Sequence, residues 1–134
     1  MQTGFVERDG YRLHYAMSGR NHAPPLLLLH PLGAALEVWA PVLPMLEPHF
    51  RVIRYDVRGH GKSELDAGPP SPRAMDDMAA DALAVLDAVR APRAHWCAFT
   101  SVVWAASAIL ERRPRDIVAK LFWVSEGLLR REGP

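Results

Sequence analysis

Leu26-Leu27-Leu28-Leu29-His30-Pro31-Leu32-Gly33 runs four consecutive apolar residues into a turn built from His, Pro and Gly. A strand with one wet face alternates apolar and polar residues. A strand apolar at every position suits a parallel sheet covered by helices on both sides. Pro24-Pro25 closes the loop before it. Arg51 to Tyr55 is a second central-strand candidate, rich in β-formers. Ala94 to Phe99 and Ile117 to Val124 are the third and fourth. Helical patterns fall between them. Leu36 to Leu46 sets Trp39, Leu43 and Leu46 on one side, though Pro41 and Pro44 interrupt it. Met75 to Val89 repeats Met75, Met78, Ala79, Ala82, Leu83, Leu86 and Val89 at three- and four-residue spacing, with Asp76, Asp77 and Asp81 in its early turns. Val102 to Leu110 reads as helix and stops before Pro114. Upstream, Gly4 to Glu7 and Arg12 to Met17 flank Asp9-Gly10, a hairpin signal. The order predicts an α/β fold: a mostly parallel sheet with right-handed crossovers, preceded by an antiparallel hairpin. Chemistry in such sheets gathers at the carboxyl ends of the strands, here the turns after Leu29, Tyr55, Phe99 and Val124.

The 134 residues fit one domain. Twelve prolines favour short elements joined by turns over a long-helix bundle. No apolar run approaches the ~20 residues of a membrane helix, and the first residues show no secretory signal. A net charge of +1 gives no electrostatic case for nucleic acid or a membrane surface. Cys97, the single cysteine, forbids an intrachain disulfide and suits a reducing cytoplasm.

The turn after Leu29 could point a backbone N–H into a site. The turn after Tyr55, Asp56-Val57-Arg58-Gly59-His60-Gly61-Lys62-Ser63, has two glycines two apart. Its Asp56 and Arg58 read as structural groups that bond to backbone. Its Lys-Ser pair lacks phosphate-loop spacing, so nucleotide binding is not indicated. Together, Leu26 to Gly33, Trp39 and Phe50 to Ser63, with the spacing between them, resemble the α/β-hydrolase family. Within it the chain looks most like the 3-oxoadipate enol-lactonase branch of cofactor-free ester and lactone hydrolases. The resemblance runs from about Gly4 to about Glu126, roughly the first half of a complete member. Residues 1–134 are therefore expected to be a truncated core domain without the cap and the C-terminal catalytic half.

The resemblance implies a serine on a Gly-x-Ser-x-Gly elbow, a histidine base and an acid that orients it. It also implies two backbone N–H groups for the oxyanion, by position those of Leu32 and Ser101. The sequence departs from this pattern at the elbow, Ala98-Phe99-Thr100-Ser101-Val102. Thr100 takes the nucleophile position, where its β-branch stiffens χ1 and adds a methyl. Val102 adds a branched side chain where backbone should approach closely. No histidine matches the family's base, and Glu126 is the nearest substitute for its acid. Val102-Val103-Trp104-Ala105-Ala106, read one base earlier, can encode Gly-Gly-Met-Gly-Gly, which resembles the family's stretch after its serine. The expected function is thus an ester or lactone hydrolase by descent, inactive alone, needing no cofactor and no metal. The alternatives are a non-catalytic binding chain and one half of a split hydrolase. The 117–124 strand is expected to be an unprotected edge that pairs with a second copy or a complementing chain. Apolar surface on Leu36–Leu46 is expected to be exposed.

Overall fold

A computed structural model describes residues 1–64, 74–91, 93–98, 122–125 and 128–131. The strands are β1 (Gln2–Arg8), β2 (Tyr11–Gly19), β3 (Pro25–Leu29), β4 (Arg51–Tyr55), β5 (His95–Ala98), β6 (Phe122–Ser125) and β7 (Leu128–Arg131). They form one sheet in the order β1-β2-β4-β3-β5-β6-β7. The four inner strands β4, β3, β5 and β6 are parallel. Antiparallel strands flank them on both sides: β1 and β2 on one, β7 on the other.

The leucine run behaves as a strand buried on both faces should. Leu27 and Leu29 join Leu13, Ile53, Tyr55 and Trp96 in one core, packed under Ala79, Ala82, Val85 and Leu86 of helix α2 (Ala74–Ala88). Leu26 and Leu28 point the other way, onto Val52, Cys97, Trp39 and Leu43. None of the four leucines is more than 6% exposed. Each such burial contributes about 1.5–3 kcal/mol at most.

Leu36 to Leu46 forms two short pieces where one helix was expected. A 3₁₀ segment, Leu36–Val42, contains Pro41, and a single α turn, α1 (Leu43–Leu46), has Pro44 in its first turn. Pro41 has no N–H to give an α ladder. Leu36, Trp39 and Leu43 are buried, while Val38, Val42 and Met45 are the exposed apolar surface expected there.

The edge expectation needs correction. Phe122 pairs with Cys97 of β5, and Phe122–Ser125 pairs with Leu128–Arg131 in reverse register. The fourth parallel strand, expected over Ile117 to Val124, is described from Phe122 on and is paired on both sides there, and Leu128–Arg131 supplies the sheet's last strand; residues 117–121 lie outside the described residues. Two residues separate β6 and β7 in sequence, the commonest hairpin connection length. The expected helix Val102 to Leu110 and the elbow residues Phe99 to Val102 lie outside the described residues, as does Glu126. Among the described residues, no helix is long and apolar enough to cross a membrane.

Candidate active site

The carboxyl ends of β3 and β4 meet in two turns. Pro31 to Ala34 closes a β-turn through the Ala34 N–H to Pro31 carbonyl bond of 3.2 Å. Leu32 and Gly33 are its central residues. Gly33 has φ +85°, which a type II turn demands at that place. Leu32 is 52% exposed, in the turn that follows the carboxyl end of β3.

Two histidines bind the turns to each other. His30, fully buried, accepts the Val57 N–H at Nε2 (2.8 Å) and donates from Nδ1 to the Pro31 carbonyl (2.8 Å). An amide can only donate, so the tautomer is fixed with the proton on Nδ1. Burial pushes the His30 imidazole below its ordinary value, which outweighs the carbonyl bond and keeps it neutral. His60 answers from the other turn: its Nε2 accepts the Gly33 N–H at 2.9 Å, and its Nδ1 donates to the Arg58 carbonyl at 2.9 Å. The rings lie 5.4 Å apart.

Asp56 organises the second turn. Its carboxylate accepts the Leu36 N–H (2.8 Å), the Lys62 N–H (3.0 Å) and a bond from His14 Nδ1 (2.9 Å). Burial alone would raise this carboxyl. The two amide bonds and the His14 contact outweigh it and hold the group below the ordinary carboxylate range. Gly61 has φ +51°, and a Cβ there would fall 2.4 Å from the Asp56 carboxylate, so the motif needs glycine at this position. Asp56 is thus structural and bonds to backbone, as the sequence suggests. Arg58 differs. Its Nε and Nη2 grip both carboxylate oxygens of Asp81 in α2 at 2.7 and 2.9 Å, and Nη2 also bonds the Tyr11 hydroxyl. Arg8 and Tyr11 complete the cluster on Asp81 at 2.8 and 2.6 Å. Burial and the bond to Asp81 push the Tyr11 phenol up to about 12.

Ser63, His14 and Asp56 stand together and could be mistaken for a nucleophilic relay. They are not one. Ser63 Oγ donates to the Asp56 carbonyl (2.6 Å) and accepts the backbone N–H of His14 (2.8 Å), not its ring. The hydroxyl is 8% exposed and already occupied in both roles. Thr100 and Ser101, the nucleophile and second oxyanion positions, lie outside the described residues. Among the described residues, no group of three His, Cys, Asp or Glu side chains is placed to hold a metal. What the site shows is a turn fixed by its own hydrogen bonds, without an accessible nucleophile–base pair among the described residues. The buried Asp81 cluster was missed by sequence reasoning. The one available signal was Asp81 itself, a carboxylate inside the apolar stripe of α2.

The chain matches a family model described as the alpha/beta hydrolase fold over residues 24–99. It is 38% identical over 96 residues to RutD of Caulobacter segnis, which carries a carbamate-hydrolase name, covering 71% of this chain and 34% of that protein. It is 32% identical over 111 residues to 3-oxoadipate enol-lactonase 2 of Acinetobacter baylyi, covering 80% of this chain and 40% of that protein. In three dimensions it resembles the enol-lactonase from Burkholderia xenovorans with TM-score 0.77 and 34% identity, covering 85% of this chain and 44% of that one. The chain spans less than half the length of each of these proteins.

Proposed function

The chain belongs to the alpha/beta hydrolase family, and from that premise we propose that it derives from an ester or lactone hydrolase and retains the oxyanion side of its machinery. The observation that supports this most directly is the Pro31–Ala34 turn, held at the carboxyl end of β3 by His60 and facing the Asp56 turn. In acyl transfer a hydroxyl attacks the carbonyl carbon, a base takes its proton, and the carbonyl oxygen becomes an oxyanion. Two backbone N–H donors stabilise that charge, each worth about 2.7–4 kcal/mol in a preorganised site. The Leu32 N–H takes one of these roles and the Ser101 N–H the other. Thr100 occupies the nucleophile position with a β-branched side chain.

Residues 1–134 place no histidine in register with the family's base. On this reading the segment alone does not turn over esters, and a complementing chain must bring an acid and a histidine for it to do so. The substrate class is a small carboxylic ester or lactone, and the reaction uses no cofactor and no metal. The purified chain is tested on p-nitrophenyl butyrate, beside Thr100→Ala. The expected rate is that of buffer, unchanged by the substitution. Brisk turnover that Thr100→Ala removes would overturn the proposal.

A further inference from the structure

We propose that the face of the sheet under the 3₁₀ segment holds a binding site for a short aliphatic carboxylate, anchored by Arg54. Arg54 lies on β4 beside Val52 and is only 3% exposed. Its Nη1 donates to the Leu36 carbonyl at 3.1 Å. The other edge of the guanidinium, Nε with Nη2, is the edge that grips a carboxylate side-on. Here Nε–H meets no acceptor among the described residues. Among the described residues Nη2 has only the Met1 thioether, 3.1 Å away, and sulfur is a weak acceptor. No carboxylate of the described residues lies within 4.0 Å of Arg54, although Arg8, Arg12 and Arg58 all have one. A guanidinium stays charged in proteins, and a buried charge on which its nearest carboxylates, Glu37, Glu47 and Asp56, act only from beyond ion-pair distance remains costly. Burial lowers the Arg54 pKa in keeping with that cost.

Arg54 is one of the residues that line a cavity of about 320 Å³, and Met1, which covers its Nη2, lines it too. Ala16, Leu36, Ala40 and Leu43 provide apolar lining, and the exposed Lys62 and Glu37 also border it. His14 touches the cavity, but Asp56 already holds its Nδ1. A planar anion matches the fork, and apolar walls suit a short alkyl body. Met1 is 84% exposed, so its thioether can yield the edge to a stronger acceptor. The site needs no hydrolysis and stands whether or not the chain acts on esters.

The test is an NMR titration of the ¹⁵N-labelled full chain with sodium butyrate at constant ionic strength. It follows the Arg54 Nε–H and the amides of Ala16, Ala40 and Leu43. Saturable shifts are expected, with the Nε–H moving downfield as it gains an oxygen acceptor. Butyramide, the neutral isostere, should bind at least about tenfold more weakly, because a charge-assisted pair is lost. Ala40→Phe, which crowds the cavity and leaves Arg54 in place, should abolish the shifts while the amide resonances of α2, on the other face of the sheet, stay put. The proposal falls if butyramide binds as well as butyrate, or if chloride or phosphate alone reproduces the shifts. It also falls if Ala40→Phe binds butyrate unchanged or the Nε–H does not move.

Discussion

Replacing Asp56 by Asn should weaken the fold by about 2–4 kcal/mol, with a penalty that depends on pH. The amide is isosteric, so packing is preserved and only the bonding changes. The carboxylate now accepts from Leu36, Lys62 and His14 at once. Asn has one acceptor oxygen, which can serve the Leu36 N–H at Oδ1. Its NH₂ then faces the Lys62 N–H, donor against donor. One buried amide left without its partner costs about 1–3 kcal/mol, and losing the charge from the remaining bond costs about another 1 kcal/mol. Against a total stability of ~5–15 kcal/mol, the shift is easily read in a urea midpoint. The sign of the pH effect follows from a folded carboxyl held below its ordinary value. The advantage of wild type over Asp56→Asn is fully present above the unfolded carboxylate value of ~4 and shrinks as pH falls through the lower folded value. An Asp56→Asn midpoint within about 0.5 kcal/mol of wild type at neutral pH would refute the reasoning. So would a gap that stays constant down the acid limb.

Asp81→Ala should cost about 3–5 kcal/mol by calorimetry, since it strands Arg58 and the Tyr11 hydroxyl in a largely buried cluster. A double-mutant cycle with Arg58→Met should recover part of that loss. His30 should make the chain less stable in mild acid. Its folded value is lowered, so its contribution is complete above the ordinary ~6.5 and is lost as pH falls through the folded value. The melting temperature of His30→Gln should fall less than wild type over that interval.

The inner strands were legible because burial on two faces leaves a plain trace, four leucines with no polar interruption, and because β4 copies it nearly as well. The hairpin was legible from Asp9-Gly10, and α2 from its apolar spacing. What escaped shares a physical cause: a polar group inside the fold is chosen by a partner distant in sequence. Asp81 looked like a complement to the helix dipole, and only the folded chain brings Arg58, Arg8 and Tyr11 to it. Arg54 alternates with Val52 and so had to share its buried face, yet nothing nearby in sequence announces a sunken cation. Strand β7 was missed because Leu128-Leu129-Arg130-Arg131 is too short and mixed to carry a period of its own. At the site, the sequence located Leu32 at its turn. The histidines that hold that turn were read only as members of a pattern.

The reciprocal histidines make the two loops a single inheritable part. His30 belongs to the first loop and is satisfied by Val57 of the second; His60 belongs to the second and is satisfied by Gly33 of the first. Neither loop can be grafted onto a foreign scaffold without the other, since each would arrive with one ring searching for a missing donor. Mutational drift faces the same restriction: a lineage that alters one loop must repair its counterpart in the same stroke or lose the shape of both.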